Sequence, residues 1–186
     1  MLNLPFDPFP TLSTERLILR QIRLDDAEML FSMRSSEKMM AFIQRPRAKT
    51  IEDATKLIES MQADFEKKKN IVWVMSLKND PKMIGTIGFW RMQPEHFRAE
   101  VGYLLHENYW QQGIAYEALV KVLEYGFNVM NCHSVEANID PRNTASQRLL
   151  EKAGFVKEAH FKEDYFWEGQ FLDSAVYSKL KNTEGS

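Results

Sequence analysis

A change of hydrophobic period at a single glycine limits the folds open to this sequence more than any other feature. Before it, the runs IVWVMSL, MIGTIGFW and AEVGYLL are separated by turn signals at Asn79 to Pro81 and near Pro94. They read as a three-stranded antiparallel meander. After Gly113, the apolar residues Ala115, Ala118, Leu119, Val122 and Leu123 fall at helical spacing, with Glu117, Lys121 and Glu124 on the other face. Glycine at the mouth of a helix lets a ligand approach the backbone closely. The unsatisfied N–H groups of the first turn and the positive end of the helix dipole favour phosphate oxygens there. The stretch QQGIA is therefore a candidate phosphate cradle, although glycine before a helix also serves plain turn chemistry.

The remaining elements alternate between strands and helices without internal repeat or linker. Arg16 to Ile22 reads as a first strand. Asp25 caps a helix carrying Ala27, Leu30 and Phe31, and Thr50, with Asp53 three residues on, opens a second helix with the stripe Ala54, Leu57, Ile58, Met61 and Phe65. Lys67, Lys68 and Lys69 suit its C-terminus. Beyond the glycine, His133 to Ile139 makes a strand, Asn143 caps a helix over Leu149, Leu150 and Ala153, and Gly154 closes it. Closing strands near Phe155 to His160 and Ser174 to Leu180 complete a mixed α+β order. With 186 residues, 44% of them hydrophobic, the chain builds one substantial core. The expected division is an N-terminal arm, 1–13, a single domain, 14–180, and a C-terminal tail, 181–186.

A net charge of −2 with acids and bases intermingled excludes a basic nucleic-acid footprint and a polybasic membrane anchor. Nothing approaches the roughly 20 apolar residues of a membrane span, and MLNLPFDPFP lacks the pattern of a signal peptide. These readings suggest a cytoplasmic protein with a small or local partner. The proline- and phenylalanine-containing arm packs on its own domain or on a neighbouring subunit, so a homodimer is one expectation. The single cysteine, Cys132, reads as a small buried residue. His96, His106, His133 and His160 lack metal-ligand spacing.

The runs AEVGYLLHENYWQQGIAYEAL and NIDPRNTASQRLLEKAGFVKEAHFKEDYFWEGQFLDSAVYSKL resemble the GNAT superfamily of N-acetyltransferases, in particular its RimJ/RimL-like branch. The resemblance extends from about Thr14 to Leu180. It implies a GNAT-like α+β fold: a mixed, mostly antiparallel central sheet of about six to seven strands flanked by about four helices. It also implies acetyl-CoA as cosubstrate without a metal. The branch's loop pattern is met by Trp110, Gly113, Ile114, Ala115 and Glu117. Gln111 stands where that pattern has its first glycine, and Tyr116 where it has a small hydroxyl residue. Because such a cradle works through main-chain amides, the resemblance assigns Gln111, Gln112, Gly113, Ile114, Ala115 and Tyr116 to the cofactor's phosphates. It assigns the backbone of Leu104 and Leu105, on a splayed strand, and Asn143 to the pantetheine arm.

Acetyl transfer needs a neutral amine, whereas a lysine-type amine, pKa about 10.4, and an α-amine, about 7.7 to 8.0, are largely protonated at neutral pH. Glu100 shares a strand face with Gly102 and Leu104, and the resemblance gives it the role of general base, direct or through water. The alternative is a carboxylate that is solvated or paired with an arginine such as Arg98. Ser146 points inward with Leu149, Leu150 and Ala153. The superfamily's usual tyrosine acid falls at Leu150, so Ser146 is the candidate proton donor to the CoA thiolate; its alternative is a small residue that packs and bonds to its own turn. Tyr165, Phe166 and Trp167, before Gly169, belong to a loop or hairpin beside the acceptor pocket or to a core or dimer contact. Glu163 and Asp164 attract a cationic amine or are merely hydrated. The expected activity is transfer of acetyl from acetyl-CoA to a peptide N-terminus or a small-molecule amine in a ternary complex. A catalytically silent acyl-CoA-binding module is the alternative. A nucleotide-binding P-loop does not fit, because the loop lacks the lysine and hydroxyl pair and follows an antiparallel meander.

Overall fold

Seven residues, Ile71–Leu77, show why the chain builds a sheet covered on both faces. In the computed structural model, which describes residues 1–181, Ile71, Trp73 and Met75 enter one hydrophobic core while Val72 and Val74 enter another. Side chains of a strand alternate between faces, so a strand buried on both sides reads as a continuous apolar run.

This strand, β3, lies within an eight-stranded sheet. The others are β1 (Leu12–Ser13), β2 (Leu17–Arg20), β4 (Asp80–Gln93), β5 (Arg98–Leu105), β6 (Ser134–Ile139), β7 (Val156–Trp167) and β8 (Gln170–Leu180), in the order β1-β2-β3-β4-β5-β6-β8-β7. Every neighbouring pair is antiparallel except β5 with β6. The helices are α1 (Ala27–Ser35), α2 (Glu37–Met40), α3 (Ile51–Glu66), α4 (Ile114–Asn128) and α5 (Thr144–Lys152). Leu30 and Met33 of α1 and Ala54, Ile58 and Met61 of α3 cover one face. Ala118, Leu119, Val122 and Leu123 of α4 and Leu150 of α5 cover the other.

The expected α+β class with a mostly antiparallel sheet holds. Among the described residues there are eight strands and five α-helices, against six to seven and four expected. The two-residue β1 and the one-turn α2 are too short to leave a periodic pattern. Thr50 and Asp53 form the anticipated capping box of α3, and Gly154 takes the left-handed backbone, φ 84°, that ends α5. The N-cap position of α1, expected at Asp25, is taken by the buried Asp26, whose side chain makes no cap bond to that helix; its carboxylate accepts from the Arg23 N–H at 2.8 Å and from both terminal nitrogens of Arg20, at 2.8 and 2.7 Å. Asp25 is exposed in the middle of a short 3-10 turn, Leu24–Asp26, that shifts the start of α1.

The closing strands are longer than expected and form one hairpin that turns at Glu168 and Gly169, φ 47° and 83°. Almost all of β7 is exposed, because it is the edge of the sheet; its mixed sequence therefore carries no apolar alternation. The N-terminal segment docks on its own domain. The Leu2 N–H donates to Pro94 O at 2.9 Å and the Asn3 N–H to Met130 O at 2.9 Å, while Phe6 and Phe9 pack against Phe65. The Trp73 indole donates to Pro10 O at 2.7 Å. Of the anticipated tail, 181–186, all beyond Lys181 lies outside the described residues.

Asp26→Ala strips the nearly buried Arg20 of its bidentate partner, with side-chain exposures of 11% and 6% for the pair. Removing one member of a buried pair costs about 3–5 kcal/mol. Urea denaturation is expected to show a lower midpoint with an unchanged slope.

Candidate functional site

Strands β5 and β6 run side by side for three residue pairs only, Arg98 with Ser134, Ala99 with Val135 and Glu100 with Glu136. Past Glu100 they diverge. β5 stays paired to β4 as far as Leu105 with Gly85, and β6 to β8 as far as Ile139 with Ala175. The main-chain edge of β5 that faces β6 is thus without a strand partner from Gly102 to Leu105. A bulge at Trp90, where the β4–β5 register shifts between Phe89 and Arg91, bends the sheet at this level. The Trp90 ring lies over Gly102, where a Cβ would come within 2.7 Å of the indole.

The loop after β5 ends at the mouth of this opening. A 3-10 turn, Glu107–Tyr109, leads to Trp110, whose indole donates to Leu105 O at 2.7 Å. Gln111 and Gly113 both take left-handed backbone, φ 59° and 75°. The position where a first glycine was expected does require that conformation; glutamine adopts it at a cost of about 1–2 kcal/mol. Gly113 is the N-cap of α4 and offers no capping side chain, so the first N–H groups of a 15-residue helix point outward beside Ile114, Ala115 and Tyr116.

One ion pair fastens the loop. Arg16 Nη1 donates to Gln112 O at 2.9 Å and Nε to Glu117 Oε2 at 2.6 Å. The Arg16 N–H and the Thr14 hydroxyl donate to Glu117 Oε1 at 2.8 and 2.5 Å. Burial pushes the Glu117 carboxyl up, but these donors outweigh it and hold the group below its ordinary value. Glu117, expected simply on the outer face of the helix, instead ties α4 to the N-terminal strands. Arg16 was missed because the pair spans 101 residues of sequence.

Two chemically competent groups flank the opening from opposite faces. Glu100 lies on the face covered by α1 and α3, since its neighbours Ala99 and Val101 enter the other core. Its side chain is 19% exposed and pairs with Arg91 at 3.4 Å. Arg98, the partner suggested by sequence proximity, is held by Glu136, Nε to Oε2 at 2.9 Å. Burial lifts the Glu100 carboxyl above the usual range and the Glu136 charge adds to this, while Arg91 and Arg45 oppose it.

On the opposite face, Ser146 is buried and its Oγ lies 2.6 Å from the Tyr103 hydroxyl. Asn143 caps α5, its side chain accepting from the Ser146 N–H at 3.0 Å. Burial pushes the Tyr103 phenol up to about 12, partly offset by the Ser146 hydrogen bond. Leu150, at the position of the family's usual tyrosine, is fully buried in the core. A tyrosine does reach Ser146, from β5 rather than from α5. Strand alternation had put Tyr103 opposite Glu100, but no local pattern links it to a serine 43 residues away.

Elsewhere the expectations divide. Trp167 lines a cleft beneath the β7–β8 hairpin, whereas Phe166 packs on Phe171 at the exposed tip, the rings tilted by 55°. Asp164 accepts from the Ser174 hydroxyl at 2.7 Å, and the Glu163 N–H donates to Asp173 at 2.9 Å, so both acidic positions serve the hairpin. Cys132 is buried and its thiol is pushed up to about 11. Among the described residues no helix is long and apolar enough to cross a membrane.

The family model for an acetyltransferase (GNAT) domain matches residues 16–156. The chain is 36% identical over 176 residues to the uncharacterised N-acetyltransferase YoaA of Bacillus subtilis (strain 168), a match covering 95% of this chain and 99% of that one. The crystal structure of a GNAT-family acetyltransferase from Bacillus anthracis superposes with a TM-score of 0.83 at 28% identity, over 92% and 98% of the two chains. RimL, a ribosomal L7/L12 alpha-N-protein acetyltransferase solved with coenzyme A, shares the fold at a TM-score of 0.84 and 18% identity, over 92% and 98%.

Gly102→Ala drives a methyl group into the Trp90 ring. Overpacking of this kind costs about 1–3 kcal/mol. A lowered melting temperature with a shifted tryptophan emission maximum is the expected outcome; unchanged values of both would show that the indole is free to move aside.

Proposed function

The chain belongs to the GNAT acetyltransferase family, and from that premise we propose that it transfers the acetyl group of acetyl-CoA to a primary amine by direct attack in a ternary complex. The observation that carries this reading is the opening between β5 and β6, with Glu100 on one face and the Tyr103–Ser146 pair on the other. A thioester lying in such an opening is reached by an amine from the Glu100 side and loses its thiolate on the Ser146 side.

The residues present suit acetyl-CoA. Backbone N–H groups from Gln111 to Tyr116 would hold the pyrophosphate, since α4 begins with a left-handed glycine and no side-chain cap. Arg16 lies beside Gly113, its Nη2 3.5 Å from where a Cβ would sit. Because Arg16 also neutralises Glu117, the acid in the first turn of α4 does not repel a phosphate. The free edge of β5 at Leu104 and Leu105 would pair with the pantetheine amides and polarise the thioester carbonyl. Asn143 keeps its role as helix cap and adds a contact to the same arm.

Glu100 accepts a proton from the bound ammonium, directly or through water. The freed nitrogen lone pair then forms the C–N bond to the carbonyl carbon as the C–S bond breaks. Ser146 donates a proton to the departing thiolate while its hydrogen-bond partner Tyr103 stays protonated, and the second proton, which the acylated nitrogen sheds, restores the Ser146 hydroxyl through solvent water. The acceptor is a peptide α-amine or a small-molecule amine; RimL, by its name, takes protein N-termini.

Activity requires ionised Glu100, whose pKa is raised, so kcat/KM falls as pH drops through a value above the ordinary glutamate range. Glu100→Gln is expected to remove that acid limb and lower kcat by about 100-fold or more, with the acetyl-CoA Kd kept. Wild-type turnover across the pH range would take Glu100 out of the chemistry. Ser146→Ala is expected to slow the single-turnover rate; an unchanged rate would return Ser146 to packing. Calorimetry with acetyl-CoA, combined with thiol release on an amine panel, tests the whole reading. Heat of binding without turnover on any amine would mark a silent binder, and absence of both would end the assignment.

A further inference from the structure

Gln111 is the strained point of the loop before α4. Its φ of 59° lies in the left-handed region, which a residue bearing a Cβ disfavours by roughly 5- to 30-fold. Such a conformation persists where its surroundings over-determine it. On one side of Gln111, the Trp110 indole donates to Leu105 O at 2.7 Å. On the other, Gln112 O accepts from Arg16 Nη1 at 2.9 Å, and Gln112 Nε2 donates to Asn108 O at 2.8 Å. Among the described residues, the bond from Arg16 is the one hydrogen bond to residues 111–113 that comes from outside the loop and its helix.

Arg16 is itself fixed at its base. The Leu17 N–H donates to Thr14 Oγ1 at 2.9 Å, closing a tight turn between β1 and β2, and the Lys78 N–H donates to Arg16 O at 2.9 Å. Glu117 aims the guanidinium, with Oε2 accepting from Nε at 2.6 Å while Oε1 accepts from the Arg16 N–H at 2.8 Å. The guanidinium thus spans a carboxylate in the first turn of α4 and a carbonyl in the loop before it, a fork that a lysine ammonium does not reproduce. Because Glu117 balances its charge, what Arg16 supplies to the loop is geometry.

We infer that Arg16 and Glu117 are positioning residues for the cosubstrate: by holding Gln112 O they keep Gln111 left-handed, and with it the loop in the shape that receives acetyl-CoA. This deepens the acetyl-transfer reading and rests on it. A loop that takes this shape for only part of the time binds with its affinity reduced by that fraction. Glutamine at position 111 is what makes the pair necessary, since glycine adopts left-handed backbone unaided.

The test measures the acetyl-CoA Kd by calorimetry, KM and kcat by thiol release, and the melting temperature of each variant. Arg16→Gln is expected to raise the Kd and KM for acetyl-CoA by about fivefold or more, with a much smaller effect on kcat, a split that lost stability alone does not produce. Glu117→Gln is expected to weaken binding too, whereas a role through charge alone would tighten it, because a negative group beside the phosphates is removed. Arg16→Lys, which keeps the charge and loses the fork, is expected to stay weak. Arg16→Gln made in a Gln111→Gly chain is expected to carry a Kd penalty smaller by about threefold or more. Penalties of equal size in the two backgrounds would overturn the inference, as would tighter binding by Glu117→Gln or full recovery in Arg16→Lys. The two levels separate in the calorimeter: an unsubstituted protein that gives no heat with acetyl-CoA defeats acetyl transfer itself, while an Arg16→Gln protein that binds as tightly as the unsubstituted one defeats only the positioning role.

Discussion

The parallel ladder between β5 and β6 is only three residue pairs long, and the rest of the site depends on where it stops. Had it continued, the main chain from Gly102 to Leu105 would be consumed by hydrogen bonds to β6. The faces holding Glu100 and Ser146 would then be separated by a closed sheet. Each strand retains its other neighbour, β4 or β8, through the divergent region. The opening is therefore rigid on both sides, and the unpaired edge is not a frayed one.

Electrostatics are arranged around this opening in two zones. At its mouth, Arg16 cancels Glu117 and leaves the N-terminus of α4 as the dominant positive feature. At the branch point, Glu100 and Glu136 are paired residues on adjacent strands. Arg98 is committed to Glu136 at close range, while Arg91 meets Glu100 only at 3.4 Å. The carboxylate left with the weaker partner is the one whose proton affinity rises.

The arm and the first strands connect these zones to the core. Phe6 and Phe9 pack on Phe65 and Trp73, and Trp73 meets Phe89 and Tyr125 edge-on. Arg16 thus projects from a segment anchored by aromatic packing, and its bonds to Gln112 and Glu117 hold the loop before α4 against that anchor. The segment that begins the chain and the loop at its middle form one mechanical unit.

Much of this was legible in the sequence because its signals are local. The meander, the α4 stripe, the Thr50–Asp53 box and the Asn143 cap follow from the period of apolar residues or from hydrogen bonds within one helical turn. Strand alternation placed Glu100 and Tyr103 on opposite faces, and the loop's likeness to a known family marked the segment from Gln111 to Tyr116. Only the tertiary structure decided which partners these residues have. Tyr103 with Ser146 and Arg16 with Glu117 join segments dozens of residues apart, so neither spacing nor propensity encodes them. The length of the β5–β6 ladder is of the same kind, since it pairs segments that lie far apart in the sequence. Local chemistry settled what each segment is; sheet geometry and packing settled what it faces.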